Sequence, residues 1–261
     1  MNLMRRVVSR HWVPLVAAAV VGLFGFAWLT VGGDDDNSID DRGDLEGALA
    51  LAGQLLAPVT PQAAEYAIAH PTGSRVDLRS SPDGGVIARL GARTEFGSPR
   101  TFLVVRTRGD WIGVVTPELP NGRLGWLRRD SGQVALSHTS HSIHVDLSAR
   151  ALELRDGNDV IHRARVSIGR AGHSTPEGLF SLTDALAGRG LGPWYGCCAL
   201  ATSGHQTSLP RGWVGGDRIA IHGTPGAVGG AVSAGCLRTT NTDMVALFSE
   251  LPLGAPVFIR E

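Results

Sequence analysis

Arg218-Ile219-Ala220-Ile221-His222-Gly223-Thr224 and, after a short glycine-rich gap, Ser233-Ala234-Gly235-Cys236-Leu237-Arg238 bring an imidazole, a thiol and a guanidinium together at the end of an apolar run. The alternation over 219–221 predicts a strand, with His222 at its end on the face opposite the two isoleucines. Ser233, Ala234 and Gly235 are small enough for a tight turn, which presents a sulfur at a surface and aims nearby backbone N–H groups at one spot. A thiolate, not a thiol, attacks carbonyls, and a free cysteine ionises only near pH ~8.5. Cys236 therefore needs a base, and His222 is the candidate. In an extended segment Arg238 projects to the same side as Cys236, where it would hold a substrate carboxylate or brace the loop. These residues alone leave two readings open: a nucleophile, or a buried structural cysteine.

The surrounding residues read as mainly β. Residues 143–148 alternate as a half-buried strand, and 151–154 and 160–168 continue the pattern around the hairpin turn Asp156-Gly157-Asn158. Further strands are predicted over 178–182 and 256–259. The one convincing helix follows Asn241, read as its N-cap, with Met244, Leu247, Phe248 and Leu251 at helical spacing and Pro252 and Gly254 ending it. Upstream, residues 75–130 form short apolar runs separated by the turns Ser81-Pro82-Asp83-Gly84-Gly85, Gly109-Asp110 and Asn121-Gly122, the texture of a small β-barrel. Trp111 and Trp126 read equally as core or as a ligand platform. Residues 133–142 read as a polar connector and 34–73 as a tether broken by Pro58, Pro61 and Pro71.

Residues 12–31 carry no charge, follow Arg5, Arg6 and Arg10, and precede Asp34-Asp35-Asp36. About 20 helical residues cover the ~30 Å hydrocarbon layer. Residues 1–33 thus read as a cytoplasmic tip and single-pass transmembrane anchor, the basic flank keeping the N-terminus in the cytoplasm and placing the rest outside. A cleaved signal peptide is the competing reading. Across 261 residues, 24 basic side chains, all Arg, balance 24 acidic ones, which argues against nucleic acid as a partner. Three cysteines do not make a disulfide framework. Cys197 and Cys198 read as a vicinal disulfide or as two small buried thiols, and Cys236 as a free thiol. His138, His141 and His144 are poorly spaced for a metal, and none is expected.

Two resemblances sharpen this. Leu78-Arg79-Ser80-Ser81-Pro82, Gly109-Asp110-Trp111 and Gly122-Arg123-Leu124-Gly125-Trp126-Leu127 resemble bacterial SH3-like domains, which implies such a domain over 74–132 that binds cell-wall peptide or spaces the next domain. His222-Gly223-Thr224 and Ser233-x-Gly235-Cys236-x-Arg238 resemble the signature of the YkuD-type L,D-transpeptidase catalytic domain. Ile143-x-Val145-Asp146-Leu147-Ser148, Val166-Ser167-x-Gly169, Thr175-Pro176-x-Gly178-x-Phe180, Asn241-x-Asp243 and Gly254-x-Pro256-Val257 match in the same order, so the resemblance covers residues 141–261. It implies a mainly β catalytic domain that attacks the third residue of a peptidoglycan tetrapeptide stem, typically meso-diaminopimelate. D-alanine is released and the acyl-thioester passes to the amine of another stem. Carried over, Cys236 is the nucleophile and His222 the base and acid, with Ser233, Gly235, Gly223, Thr224 and Arg238 supporting the site, Gly235 and Cys236 as oxyanion donors. Tyr195, Gly196, His205 and Trp213 would border the substrate groove. The resemblance implies no cofactor, and covalent inhibition by carbapenem β-lactams. Two departures stand out: Ala234, where the family often has histidine, and the short gap between His222 and Ser233. A sortase-like cysteine transpeptidase, or a wall-binding module with a degenerate catalytic domain, are the alternatives.

Overall fold

The computed structural model describes residues 65–261, and the anchor read over 1–33 lies outside them. Among the described residues no helix is long and apolar enough to cross a membrane. The described residues up to 139 are built from seven strands and one short 3-10 turn: β1 (Tyr66–Pro71), β2 (Arg75–Arg79), β3 (Val86–Gly91), β4 (Phe102–Arg108), β5 (Trp111–Val115), β6 (Gly125–Arg128) and β7 (Val134–Thr139). They make one antiparallel sheet in the order β3-β2-β6-β5-β4-β1-β7. Its core holds Val76, Leu78, Phe102, Ile112, Val114 and Leu127. Trp111 and Trp126 are buried, and the Arg79 and Arg128 guanidiniums lie 5.6 and 5.8 Å from the Trp111 ring centroid. Both tryptophans therefore serve packing rather than a ligand platform.

Two stretches read as irregular are strands. β1 and β7 pair without a break from Tyr66↔Thr139 to Pro71↔Val134, so the expected tether and connector each contribute to the sheet. Pro71 is tolerated because it is the last residue of β1, beyond Ile68 and Ala69, where pairing with β4 stops.

The second half contains β8 (His141–Asp146), β9 (Ala151–Asp156), β10 (Asp159–Arg165), β11 (Ile168–Gly169), β12 (Gly178–Ala187), β13 (Cys198–His205), β14 (Arg218–Thr224), β15 (Ala231–Ser233), β16 (Leu237–Thr240), one helix α1 (Asn241–Glu250) and β17 (Pro256–Arg260). Eight strands form a sheet in the order β10-β9-β8-β17-β12-β13-β14-β16, antiparallel except for β8/β17 and β14/β16, while β11 and β15 pair separately. Helix α1 packs Met244 and Leu247 into the core with Leu152, Leu182, Leu200, Ile221 and Val257. Its cap is Thr240, whose Oγ1 accepts the Asp243 N–H at 3.1 Å. Asn241, expected at that position, instead turns its carboxamide to the Cys197 N–H, 2.9 Å away. The mainly β architecture with one C-terminal helix thus agrees with the sequence.

Candidate active site

The parallel register of β14 and β16 places Ile221 beside Leu237 and His222 beside Arg238. Leu237 is fully buried in the core, so its neighbours Cys236 and Arg238 face the other way. There they share a cavity of about 590 Å³ with His222, Ser233, Ala234, Arg170, Tyr195 and Trp213. Sequence spacing alone brought Cys236, His222 and Arg238 near one another; pairing of the two strands puts them on one wall.

His222 is buried, and its Nδ1 lies 2.8 Å from the Gly223 carbonyl. A carbonyl only accepts, so Nδ1 carries the hydrogen and the neutral ring keeps its lone pair on Nε2. Burial holds the imidazole below its ordinary value of 6.5; Arg238 pushes the same way and the Gly223 bond opposes. Tyr195 sits against this ring, with centroids 4.7 Å apart. Burial likewise pushes the Cys236 thiol up, against weaker opposite pulls from the Ala220 backbone and Arg238. Its sulfur lies 3.9 Å from the Arg218 carbonyl. Thiol and imidazole are therefore both neutral at rest.

The turn carrying Cys236 is held from three sides. Ser233 Oγ donates to the Cys236 carbonyl at 2.6 Å and accepts the Gly235 N–H at 3.0 Å. Thr175 Oγ1 donates to the Gly235 carbonyl at 2.8 Å and accepts the Gly169 N–H at 2.9 Å. Gln206, buried, donates from Nε2 to the carbonyls of Ala234, Ser174 and His173 at 2.9, 3.0 and 3.3 Å. Gly235 itself has φ +124°, and a Cβ there would lie 2.2 Å from Gln206 Nε2. Glycine is needed at this position both for the backbone and for the approach of that amide. Nothing local marks Gln206 as a partner of this turn, and the sequence reading missed it.

The remaining candidates divide. Tyr195 and Trp213 line the cavity, with the Trp213 indole N–H on the Gly216 carbonyl at 3.1 Å. Gly196 lies outside it, in a second cleft with Cys197. His205 ends β13 and turns away, with Nδ1 3.0 Å from Asp217 Oδ2 and Nε2 2.6 Å from the Pro117 carbonyl. Gly223 contributes its carbonyl to His222, whereas Thr224 Oγ1 accepts the Gly226 N–H at 3.2 Å and is not part of the cavity wall. The Gly235 N–H, expected to face an oxyanion, is engaged by Ser233. Arg238 Nε is buried with no hydrogen-bond partner among the described residues. Cys197 and Cys198 are free thiols, and burial, with the Cys197 side chain second, pushes Cys198 up to about 12. Among the described residues no group of His, Cys, Asp and Glu is arranged to hold a metal.

Residues 140–259 match the YkuD family, described as the L,D-transpeptidase catalytic domain. YkuD of Bacillus subtilis, named as an L,D-transpeptidase, is 31% identical over 122 residues, covering 46% of this chain and 66% of that protein. YqjB of the same organism, named likewise, is 34% identical over 105 residues, covering 37% and 57%. The chain thus spans 57–66% of the length of the curated relatives it matches. Among solved structures, the L,D-transpeptidase of Xylanimonas cellulosilytica is 20% identical over 46% of this chain and 60% of that one, with a TM-score of 0.34. The match over 140–259 takes in β8 through all but the last residue of β17 and every residue of the cavity wall, so this part of the chain is similar to the L,D-transpeptidase catalytic domains of the YkuD family.

Proposed function

We propose that the chain is a peptidoglycan L,D-transpeptidase with Cys236 as nucleophile. The observation that carries this reading is the shared cavity wall of Cys236, His222 and Arg238 inside a domain similar to that family. His222 Nε2 takes the thiol proton as Sγ attacks the carbonyl carbon of the third residue of a tetrapeptide stem. The tetrahedral oxyanion forms against the Cys236 N–H, the donor left at the turn once Ser233 has engaged the Gly235 N–H. Its collapse breaks the amide C–N bond, and the proton held on His222 goes to the departing amine of D-alanine. The amine of a second stem then attacks the thioester, His222 accepts its proton, and the thiol is restored. Arg238, which lines the same cavity, would take a stem carboxylate.

Neutral resting groups suit this scheme, because the proton moves only as the carbonyl is attacked. Residues 74–132 remain our SH3-like segment, and residues 1–33 our anchor, which would put the site in the cell-wall space. A carbapenem would be opened by the same sulfur. The test is mass spectrometry of the purified chain with disaccharide-tetrapeptides: D-alanine loss and cross-linked dimers are expected, both abolished in Cys236→Ala. Turnover by that variant would refute the mechanism, and no product from the wild type would refute the activity.

A further inference from the structure

The N-terminal sheet reaches the nucleophile turn through one side-chain amide. In β13, β12 pairs residues up to Thr202 on one side, while β14 pairs Ala199 to Ala201 on the other and, after a bulge, resumes at His205 opposite Arg218. Beyond Thr202 the β12 ladder has ended, while the β14 side resumes: the Gln206 N–H donates to the Asp217 carbonyl at 2.6 Å. Alternation along a strand then points the His205 N–H and C=O toward the side β12 has left. Asn121, in the turn between β5 and β6, fills that gap. Its Nδ2 donates to the His205 carbonyl at 2.8 Å, and its Oδ1 accepts the His205 N–H at 2.8 Å. The carboxamide thus replaces a peptide unit of the absent strand.

The same junction fixes the facing strand end. The Arg218 guanidinium donates to the Thr202 carbonyl from Nε at 2.9 Å and to Thr183 Oγ1 at 2.6 Å, and it pairs with Glu95 from the loop after β3. Thr94 in that loop bonds Asp184. His205 adds its ring contact to the Pro117 carbonyl. These anchored residues adjoin the groups that frame Cys236: Gln206 follows His205 and holds the Ala234 carbonyl, and the Arg218 carbonyl faces the sulfur.

We propose that Asn121 is a positioning residue for Cys236, acting through His205 and Gln206, so that the N-terminal sheet is a working part of the active site rather than a spacer. The importance of this for turnover rests on the transpeptidase reading, but the primary test does not. The rate of iodoacetamide alkylation at Cys236, located by peptide mass spectrometry, is followed against pH in the purified full chain. Loosening the turn exposes the thiol, so Asn121→Ala should move the alkylation midpoint at least about half a pH unit toward the ordinary thiol value of ~8.5. Gln206→Ala should do the same, and the double variant should equal Gln206→Ala alone, because both act on one element. Arg89→Ala, an exposed pair with Asp77 on the same sheet, should leave the midpoint unchanged.

Where the wild type turns over stem peptides, Asn121→Ala should lower kcat about tenfold with KM within about twofold, the signature of a misplaced nucleophile. Asn121→Asp keeps the acceptor for the His205 N–H and should fall between wild type and Asn121→Ala; it also serves if the alanine variant does not fold. An unchanged midpoint in both Asn121 variants, or additive shifts in the double variant, overturns the proposal. Absence of turnover in the wild type would strike the function alone, since alkylation would still report the coupling.

Discussion

Gly235→Ala tests the nucleophile turn most directly. At φ +124° an L side chain is strained, and its Cβ would stand 2.2 Å from Gln206 Nε2 and 3.1 Å from Ile219 Cδ1. The end of a glutamine usually yields cheaply, but this one is buried and donates to three carbonyls, with Ser208 N–H on its Oε1 at 3.0 Å. Strain at such a backbone angle costs about 1–3 kcal/mol. Displacing the amide forfeits about two net hydrogen bonds at roughly 1 kcal/mol each. The sum is about 3–5 kcal/mol, which for a chain of this size lowers Tm by roughly 6–20 °C. Calorimetry of the purified variant measures it, with Cys236 alkylation as the local readout. A fall of less than about 2 °C with unchanged thiol reactivity would refute the claim that Gly235 is pinned against Gln206.

The neutral pair at the site sets the pH dependence. Burial keeps His222 below 6.5, so the acid limb of kcat/KM should lie below 6.5, and a limb above about 7 would contradict a buried neutral base. The same shift links to stability: the unfolded chain protonates this histidine first, so its contribution is complete above 6.5 and declines as pH falls toward the lowered folded value, as acid-side denaturant titrations would show. Thr175→Val keeps the shape but leaves the Gly169 N–H and Gly235 carbonyl without their partner; a loss of about 2–4 kcal/mol is expected in urea, and an unmoved midpoint would dismiss Thr175 as a brace.

Much of the C-terminal half was legible from local pattern. The alternation at 219–221 became β14, Met244 and Leu247 became the buried face of α1, and Asp156 to Asn158 turned as expected between β9 and β10. β13 escaped notice because Cys-Ala-Leu-Ala-Thr-Ser-Gly-His is buried on both faces, so no alternation of polarity records it. β7 was hidden by its polar Ser137, His138 and Thr139, and β1 by a proline whose harmless end position only pairing reveals. At the site, Cys236, His222 and Arg238 announce themselves by chemistry at short spacing. Gln206, Thr175 and Asn121 do not: their partners lie 28, 60 and 84 residues away, and ordinary amide and hydroxyl side chains carry no sign of such pairings.

The place of β17 also bears on how this domain comes into being. It lies between β8 and β12, parallel to the first and antiparallel to the second, with Val257 beside Ile143 and Phe180. Strands made early during vectorial synthesis must wait with open edges until residues 256–260 emerge and slot between them. The central seam can close only after residue 256 has emerged, contacts distant in sequence slow folding, and a nascent chain stopped ahead of residue 256 lacks the strand that joins the two half-sheets.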